Sequence, residues 1–293
     1  MVANINNRNR QPKGTSKGGQ FAPETHEAAP NDLDNTSDAP SAVIHAPEGY
    51  VETEQWCNKD GELHRDGAPA VIDYRQDGTV QAEEWWQNGR LRRTDGPAIV
   101  RYDDNGNVES EEWYRYGELH RIDGPAYISY NPDGDPRLEE WCKNGELDRP
   151  DGPARNEYYE NGNIYREEYW KDGQRHREDG PAETEYRKDG TISYEAWYEN
   201  GKTHRIDEPA FISYREDGTI KEEAWSQNGK HHRIDGPAIT HYNENGSINF
   251  EAWWKNGEAH RDDGPAVIRY DENGNIVSEK WWQNGKEITP TEN

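Results

Sequence analysis

The chain has almost none of the material from which a globular core is usually built. Leu, Ile, Val and Phe together supply only 35 of 293 residues. No apolar run is long enough to span a bilayer, and no secretory signal peptide is visible, so a cytoplasmic location away from membranes is expected. Positive charge is scarce too, with 34 Lys and Arg against 59 Asp and Glu and a net charge of −25. That balance excludes direct binding to nucleic acid, whose phosphates it repels. So few aliphatics with so much charge of one sign would ordinarily indicate disorder.

A repeat overrules that indication. Asp-Gly-Pro-Ala or a close variant recurs every 28 residues, with Pro-Ala pairs at 69–70, 97–98, 125–126, 153–154, 181–182, 209–210, 237–238 and 265–266. A fixed period of this length marks a stacked array in which each unit buries its apolar face against its neighbours. Tyr recurs at 74, 102, 130, 158, 186, 214, 242 and 270. Glu recurs at 83, 111, 139, 167, 195, 223, 251 and 279, and Arg at 65, 93, 121, 149, 177, 205, 233 and 261. Twelve Trp and 17 Tyr stand in for the missing aliphatics, which predicts a shallow aromatic core. Cys57 and Cys142 lie about three units apart, roughly 30 Å at the usual strand spacing, too far for a disulfide.

Ala-x-Ile-x-Tyr alternates at the strand period, and Asn-Gly or Asp-Gly pairs follow as hairpin turns. No helical period is present. Two long strands per unit are expected, with a short third around His-Arg. The fold class is all-β: an elongated β-hairpin repeat array of eight 28-residue units, an open meander or a solenoid. The register has two solutions. A two-residue turn at Asn105-Gly106 pairs Val100 with Glu111 and puts Trp113 on the Tyr102 face. A three-residue turn pairs Tyr102 with Val108 and moves Trp113 to the other face.

Three segments are expected: a disordered leader over 1–48, the array over 49–287, and a polar tail over 288–293. The leader is basic in its first 20 residues and acidic after that; deleting 1–45 is expected to leave the thermal midpoint unchanged. The array carries 30 basic and 53 acidic residues, a net of −23.

The run Trp-x-x-Asn-Gly-x-x-His-Arg-x-Asp-Gly-Pro-Ala resembles repeats of bacteriophages, large DNA viruses and bacteria. It is distantly similar to variant MORN repeats, β-hairpin modules that occur in bacterial proteins labelled as antitoxins. The resemblance covers residues 50–287 and implies a β-hairpin array. The His-Arg-x-Asp-Gly-Pro-Ala segment has no MORN counterpart. The leader segment Arg10–Ala22 is similar to N-terminal segments in proteins of actinobacteria and their phages, and Phe21 within it is a candidate docking residue.

The chemistry-bearing motifs dissolve into the repeat. His64-Arg65-Asp66 and His260-Arg261-Asp262 match the start of a kinase catalytic loop, but no phosphate loop or metal-binding Asp accompanies them. The histidines at 64, 120, 176, 204, 232 and 260 belong to different units, about 10 Å apart, too far to share a metal. Asp271–Asn275 lacks the ligand spacing of a calcium loop. No cofactor, metal or catalytic residue is assigned. Tyr102, Tyr130 and Tyr158, Glu111 and Glu139, and Arg121 and Arg149 are assigned to structural ladders, with Arg and Glu forming ion pairs between strands. A second aromatic row, Trp86, Tyr114, Trp170, Tyr198, Trp254 and Trp282, follows the first by one residue and so takes the opposite face. Cys142 and Ser226 interrupt it. One of the two rows faces solvent if the sheet is a single layer; both are buried if it curls.

The expected function is a non-enzymatic binding or scaffold protein, presenting an acidic, aromatic-striped β-surface to a protein partner. One alternative is an acidic DNA mimic, or antitoxin-like inhibitor, of a nucleic-acid-binding protein. Another is a glycan- or cell-wall-binding module.

Overall fold

The computed structural model describes residues 39–289. The leader through residue 38, with Phe21, and the tail from residue 290 lie outside the described residues. The chain divides into two units, Met1–Thr36 and Ser37–Asn293, and the second carries the whole array.

The described residues form strands and turns, with no helix among them, and so none long and apolar enough to cross a membrane. Nineteen strands make one open antiparallel sheet of successive hairpins. Each unit but the last contributes four strands, not the two or three expected. In one unit, Ile99–Tyr102 and Val108–Glu112 belong to the large sheet. Tyr114–Arg115 and Glu118–Leu119 form a separate small hairpin. The large sheet then resumes, Val108–Glu112 pairing with Tyr127–Tyr130 of the next unit.

The two turns of a unit are built differently. In the large hairpin Asp103 N–H donates to the Asn107 carbonyl at 2.9 Å, which closes a three-residue loop with Gly106 at φ 80°. In the small hairpin Gln87 faces Arg90 across two residues, Asn88 at φ 48° and Gly89 at φ 70°. Two consecutive positive φ angles define the hairpin turn for which Asn-Gly is selected.

The large hairpin also reconciles the two registers. Tyr102 pairs with Val108, as the three-residue turn requires, and Val100 pairs with Glu111, as the two-residue turn requires. Glu109 is the extra residue of a β-bulge between them. The bulge shifts the ladder by one, so Trp113 stays on the Tyr102 face.

The unit junction runs through the Pro-Ala alanine. Trp113 N–H donates to the Ala126 carbonyl, and Ala126 N–H to the Glu140 carbonyl, both at 2.7 Å. All eight of these alanines are completely buried. The expected aromatic core is displaced outwards, since most Trp and Tyr rings are half-buried.

One ring in each unit, at the first of the two aromatic positions, is held by the repeated arginine. The guanidinium lies 3.7 to 4.1 Å from the ring centroid in all eight copies, from Arg65 over Trp56 to Arg261 over Trp253. In seven of the eight it also donates to the carbonyl of the following proline, as from Arg149 to Pro153 at 3.0 Å. The motif glycine is needed here for room: a Cβ at Gly124 would sit 2.8 Å from the Arg121 guanidinium carbon. Two units lack this glycine, with Ala68 and Glu208 in its place. In both, the preceding residue takes the left-handed region, Gly67 at φ 70° and Asp207 at φ 65°. The chain turns the Cβ away from the guanidinium by that change.

The array also begins earlier than the sequence indicated. Ala42–His45 is an exposed strand paired with Val51–Gln55, seven residues ahead of the boundary at Gly49. It repeats the Ala-Val-Ile of Ala70–Asp73 one period earlier, but with Ser41 and Ala46 in place of the proline and the ladder tyrosine. The leader expected over 1–48 is therefore ordered from Ala42 onward. Deleting 1–45 removes this strand together with the Cys57 N–H bond to Ser41 Oγ at 2.9 Å, so the deletion is expected to lower the thermal midpoint, not to leave it unchanged. At the other end the last strand, Lys286–Ile288, runs one residue past the expected boundary.

Gly124→Ala is expected to destabilise the array by about 1–2 kcal/mol, a typical cost of overpacking. Adding Asp123→Gly reproduces the Gly67-Ala68 arrangement and restores most of that loss. Denaturant unfolding of both variants checks this; equal loss in the single and double variants contradicts it.

Candidate functional site

The repeated polar residues form three sets of contacts, two of which run from unit to unit. In the first, each tyrosine hydroxyl donates to the glutamate of the preceding unit: Tyr102 to Glu83, Tyr130 to Glu111 and Tyr158 to Glu139, at 2.7, 2.6 and 2.6 Å. The same bond recurs in the other five units at 2.7 to 3.0 Å. Burial, and then the bond to a carboxylate, raises the phenol pKa throughout, to about 12 at Tyr74, Tyr242 and Tyr270 and further at Tyr130.

The expected Arg–Glu ion pairs are replaced by this arrangement. Glu111 and Glu139 accept from tyrosines, while Arg121 and Arg149 stack on Trp113 and Trp141. Arg121 then pairs with Asp123 in its own loop, at 3.4 Å. Arg121 is still near enough to Tyr130 to oppose the rise in its pKa, which places the Trp–Arg stack and the Tyr–Glu bond on one face.

Histidine forms the third set. The backbone N–H of the small-turn Asn donates to Nδ1 of the histidine 24 residues earlier: Asn88 to His64, Asn144 to His120, Asn200 to His176, Asn228 to His204, Asn256 to His232 and Asn284 to His260, at 3.1 to 3.3 Å. Asp148 replaces histidine in one unit and its carboxylate accepts from Asp172 N–H at 3.0 Å. Sequence reading missed this role, which joins positions far apart in the chain.

The second aromatic row stands on the small hairpins, and all six rings are half-buried. Both open outcomes were therefore too simple. In the first half of the array each ring finds a carboxylate two residues before it. Trp86 Nε1 donates to Glu84 at 2.7 Å, Tyr114 to Glu112 at 2.8 Å and Trp170 Nε1 to Glu168 at 3.1 Å. Cys142 occupies the ring position beside Glu140. Its thiol is buried and pushed up to about 12, chiefly by burial and then by Glu140, which keeps it protonated and unreactive. Cys57 and Cys142 are both free. In the second half Ala196, Ala224 and Ala252 replace the carboxylates, and the indole N–H groups of Trp254 and Trp282 are shielded without an acceptor among the described residues.

A charge cluster binds the middle of this row together. Glu168 is completely buried and accepts from Arg175 at 2.6 Å. Arg175 also lies 3.2 Å from Glu183 and sits between rings of consecutive units, 5.3 Å from Trp170 and 5.4 Å from Tyr198. Burial raises the pKa of Glu183, against the pull of Arg175. Burial also opposes the charge on Arg166, but Glu185, Glu183 and Glu157 outweigh it and raise its pKa.

No family model matches the chain, and no curated protein matches it. Among solved structures, it is similar to an alternansucrase in complex with isomaltononaose at 16% identity and TM-score 0.17. That match covers 76% of this chain and 15% of the other. It is similar to TcdB2-TccC3 at 12% identity and TM-score 0.13, over 83% of this chain and 18% of the other. The chain thus spans under a fifth of either structure's length, and scores this low bear on neither fold nor function.

The tyrosine ladder makes stability depend on alkaline pH. A raised pKa means that the folded state holds the phenol proton more tightly than the unfolded chain, whose ordinary value is 10.0. The contribution is full below pH 10 and is lost as pH rises through about 12. Thermal midpoints should be level up to about pH 10 and fall steeply above it. Tyr130→Phe, which leaves Glu111 without its donor, is expected to cost about 1–2 kcal/mol and to flatten that fall. A midpoint that drops no further between pH 10 and 12 than below pH 10 contradicts the ladder.

Proposed function

We propose that the array is a non-enzymatic binding scaffold that presents an acidic, aromatic-striped β-surface to a protein partner. The observation that carries this reading is the second aromatic row. Six half-buried rings, Trp86, Tyr114, Trp170, Tyr198, Trp254 and Trp282, stand at unit intervals along an open array. Half-exposed aromatic rows are favoured interaction surfaces, and Trp and Tyr dominate the energetics of protein interfaces. The repeated ionisable groups support a binding role over a catalytic one, because each is already committed: Glu to Tyr, Arg to Trp and His to a turn N–H. The expected cytoplasmic setting suits a protein partner.

The rival reading, an acidic decoy for a nucleic-acid-binding protein, draws on the net charge of −25. The two differ in what holds the partner. A decoy acts through its summed field, and its affinity falls steeply with salt. A ring-based scaffold depends on a few contacts and is less sensitive. With a partner captured from the host, affinity is measured between 50 and 500 mM salt, a range over which screening shortens several-fold. Trp170→Ala with Trp254→Ala is compared alongside. The scaffold reading expects weak salt dependence and at least a tenfold loss in the double variant. Steep salt dependence without that loss overturns it in favour of the decoy.

A further inference from the structure

The residue after each ladder tyrosine varies along the chain, and it decides how the large turn is closed. At Asp103 and Asn131 the side chain turns inward and accepts backbone N–H groups of its own loop. Asn105 and Asn107 donate to Asp103, and Asp133 and Asp135 donate to Asn131. In three other units this residue is Arg75, Arg187 or Arg215. The turn is then closed by the Asp two residues on, which accepts from a Thr backbone N–H and hydroxyl: Asp77 from Thr79, Asp189 from Thr191 and Asp217 from Thr219. The arginine is thereby released to cross to the next unit.

Each released arginine plugs the same socket. Arg75 donates to the Val80 carbonyl at 2.8 Å and to the Tyr102 carbonyl, and its Nε lies 3.0 Å from Asp104. Arg187 donates to the carbonyls of Ile192 and Tyr214, and Arg215 to those of Ile220 and Tyr242. The socket consists of a carbonyl five residues on and the carbonyl of the next ladder tyrosine. In the first unit a carboxylate completes it.

Where Asp103, Asn131 or Asn243 replaces the arginine the socket lacks its plug, and the unit that begins at Asn131 combines this with a neighbouring carboxylate and a cavity. The equivalent carbonyls are those of Pro136 and Tyr158, and Glu160 stands where Asp104 does. Among the described residues no side chain donates to either carbonyl, because Asn131 is short and is spent on its own turn. A cavity of about 350 Å³ adjoins this place, lined by Tyr130, Asn131, Tyr158, Tyr159 and Glu160 among others, with Pro136 just outside its lining. Asp103 and Glu109 add two further carboxylates to its wall, and Arg137 is its one cationic residue.

We propose that this cavity binds the guanidinium of an arginine on a partner protein, which takes the place that Arg75, Arg187 and Arg215 take within the chain. A planar fork of N–H donors meets two carbonyls and a carboxylate together, which a lysine ammonium does less well. The tyrosine rings beside it give the cation aromatic faces. The proposal deepens the partner-binding reading by naming a partner chemistry. None of the lining residues belongs to the second aromatic row, so the two readings fail separately.

The test is titration of the isotope-labelled full chain with the peptide Gly-Gly-Arg-Gly-Gly amide, followed by amide chemical shifts. The controls are the same peptide with citrulline, neutral and of the same shape, and with lysine. The expected result is saturable shifts centred on residues 131–137 and 158–160, with citrulline at least tenfold weaker and lysine intermediate. Asn131→Arg with Asp135→Thr rebuilds the Arg-x-Asp-Gly-Thr turn of the plugged units, since Asp133 is already in place. It should abolish the arginine-specific shifts while the thermal midpoint holds or rises. Two milder surface variants keep the test decisive if that one folds poorly: Glu160→Gln should weaken binding, and Arg137→Gln, which removes the competing cation, should tighten it. Equal shifts with arginine and citrulline overturn the proposal, as does undiminished binding in both Asn131→Arg/Asp135→Thr and Glu160→Gln.

Discussion

The repeat is arranged around a guanidinium placed over an indole or phenol ring. Cation–π contact is worth about 0.5–2 kcal/mol, depending on exposure, and here it recurs in all eight units at 3.7 to 4.1 Å. The arginine also ties the loop to a proline carbonyl, as in Arg149 to Pro153. The motif follows from that geometry. Glycine leaves room for the guanidinium, proline ends the loop with a free carbonyl, and alanine alone fits at the junction behind it. A chain poor in Leu, Ile, Val and Phe can fold because the ring is covered by a charged side chain as well as by an apolar one.

The remaining ladders work between units. Tyr130 reaches back to Glu111, and Asn144 N–H reaches back to His120. Each such bond joins one unit to the one before it, so the bonds that order a unit are the bonds that stack it. This is the condition for nearest-neighbour stability in a repeat array. It also explains why substitutions come in compensated sets. Where Glu208 replaces the glycine, Asp207 moves to φ 65° and Arg205 pairs with Glu208. Where a turn is closed by Asp77 and Thr79, Arg75 is released to bridge units.

Much of this was legible in the sequence. The period of 28, the hairpins and the all-β class follow from Pro-Ala spacing, Asn-Gly pairs and alternation. The small turn was legible because Asn88-Gly89 can be read from local chemistry alone. The bulge at Glu109 was not, since it has no marker residue and shows only as two registers that both look correct. The partners of Arg121 and Glu111 were misread as each other, because opposite charge is the nearest inference in a strand. The structure separates them, since the small hairpin carries Arg121 back over Trp113 and leaves Glu111 to Tyr130. The second aromatic row was found by its spacing. Its half-burial was not, since it rests on the small hairpins packing under it and, beside Trp170 and Tyr198, on Arg175, which stands where the four earlier units have leucine.

The central claim is that the 28-residue unit, with its contacts to its neighbours, is the whole of what the fold requires. Excising residues 127–154 removes one unit and joins Ala126 to Arg155, which keeps every ladder in step. Excising only residues 127–140 breaks the step. Calorimetry of both, beside the full chain, tests the claim directly. A single cooperative transition with a modestly lowered midpoint for the 28-residue deletion, and loss of that transition for the 14-residue deletion, is the predicted result. Loss of cooperative folding in the 28-residue deletion would contradict the account.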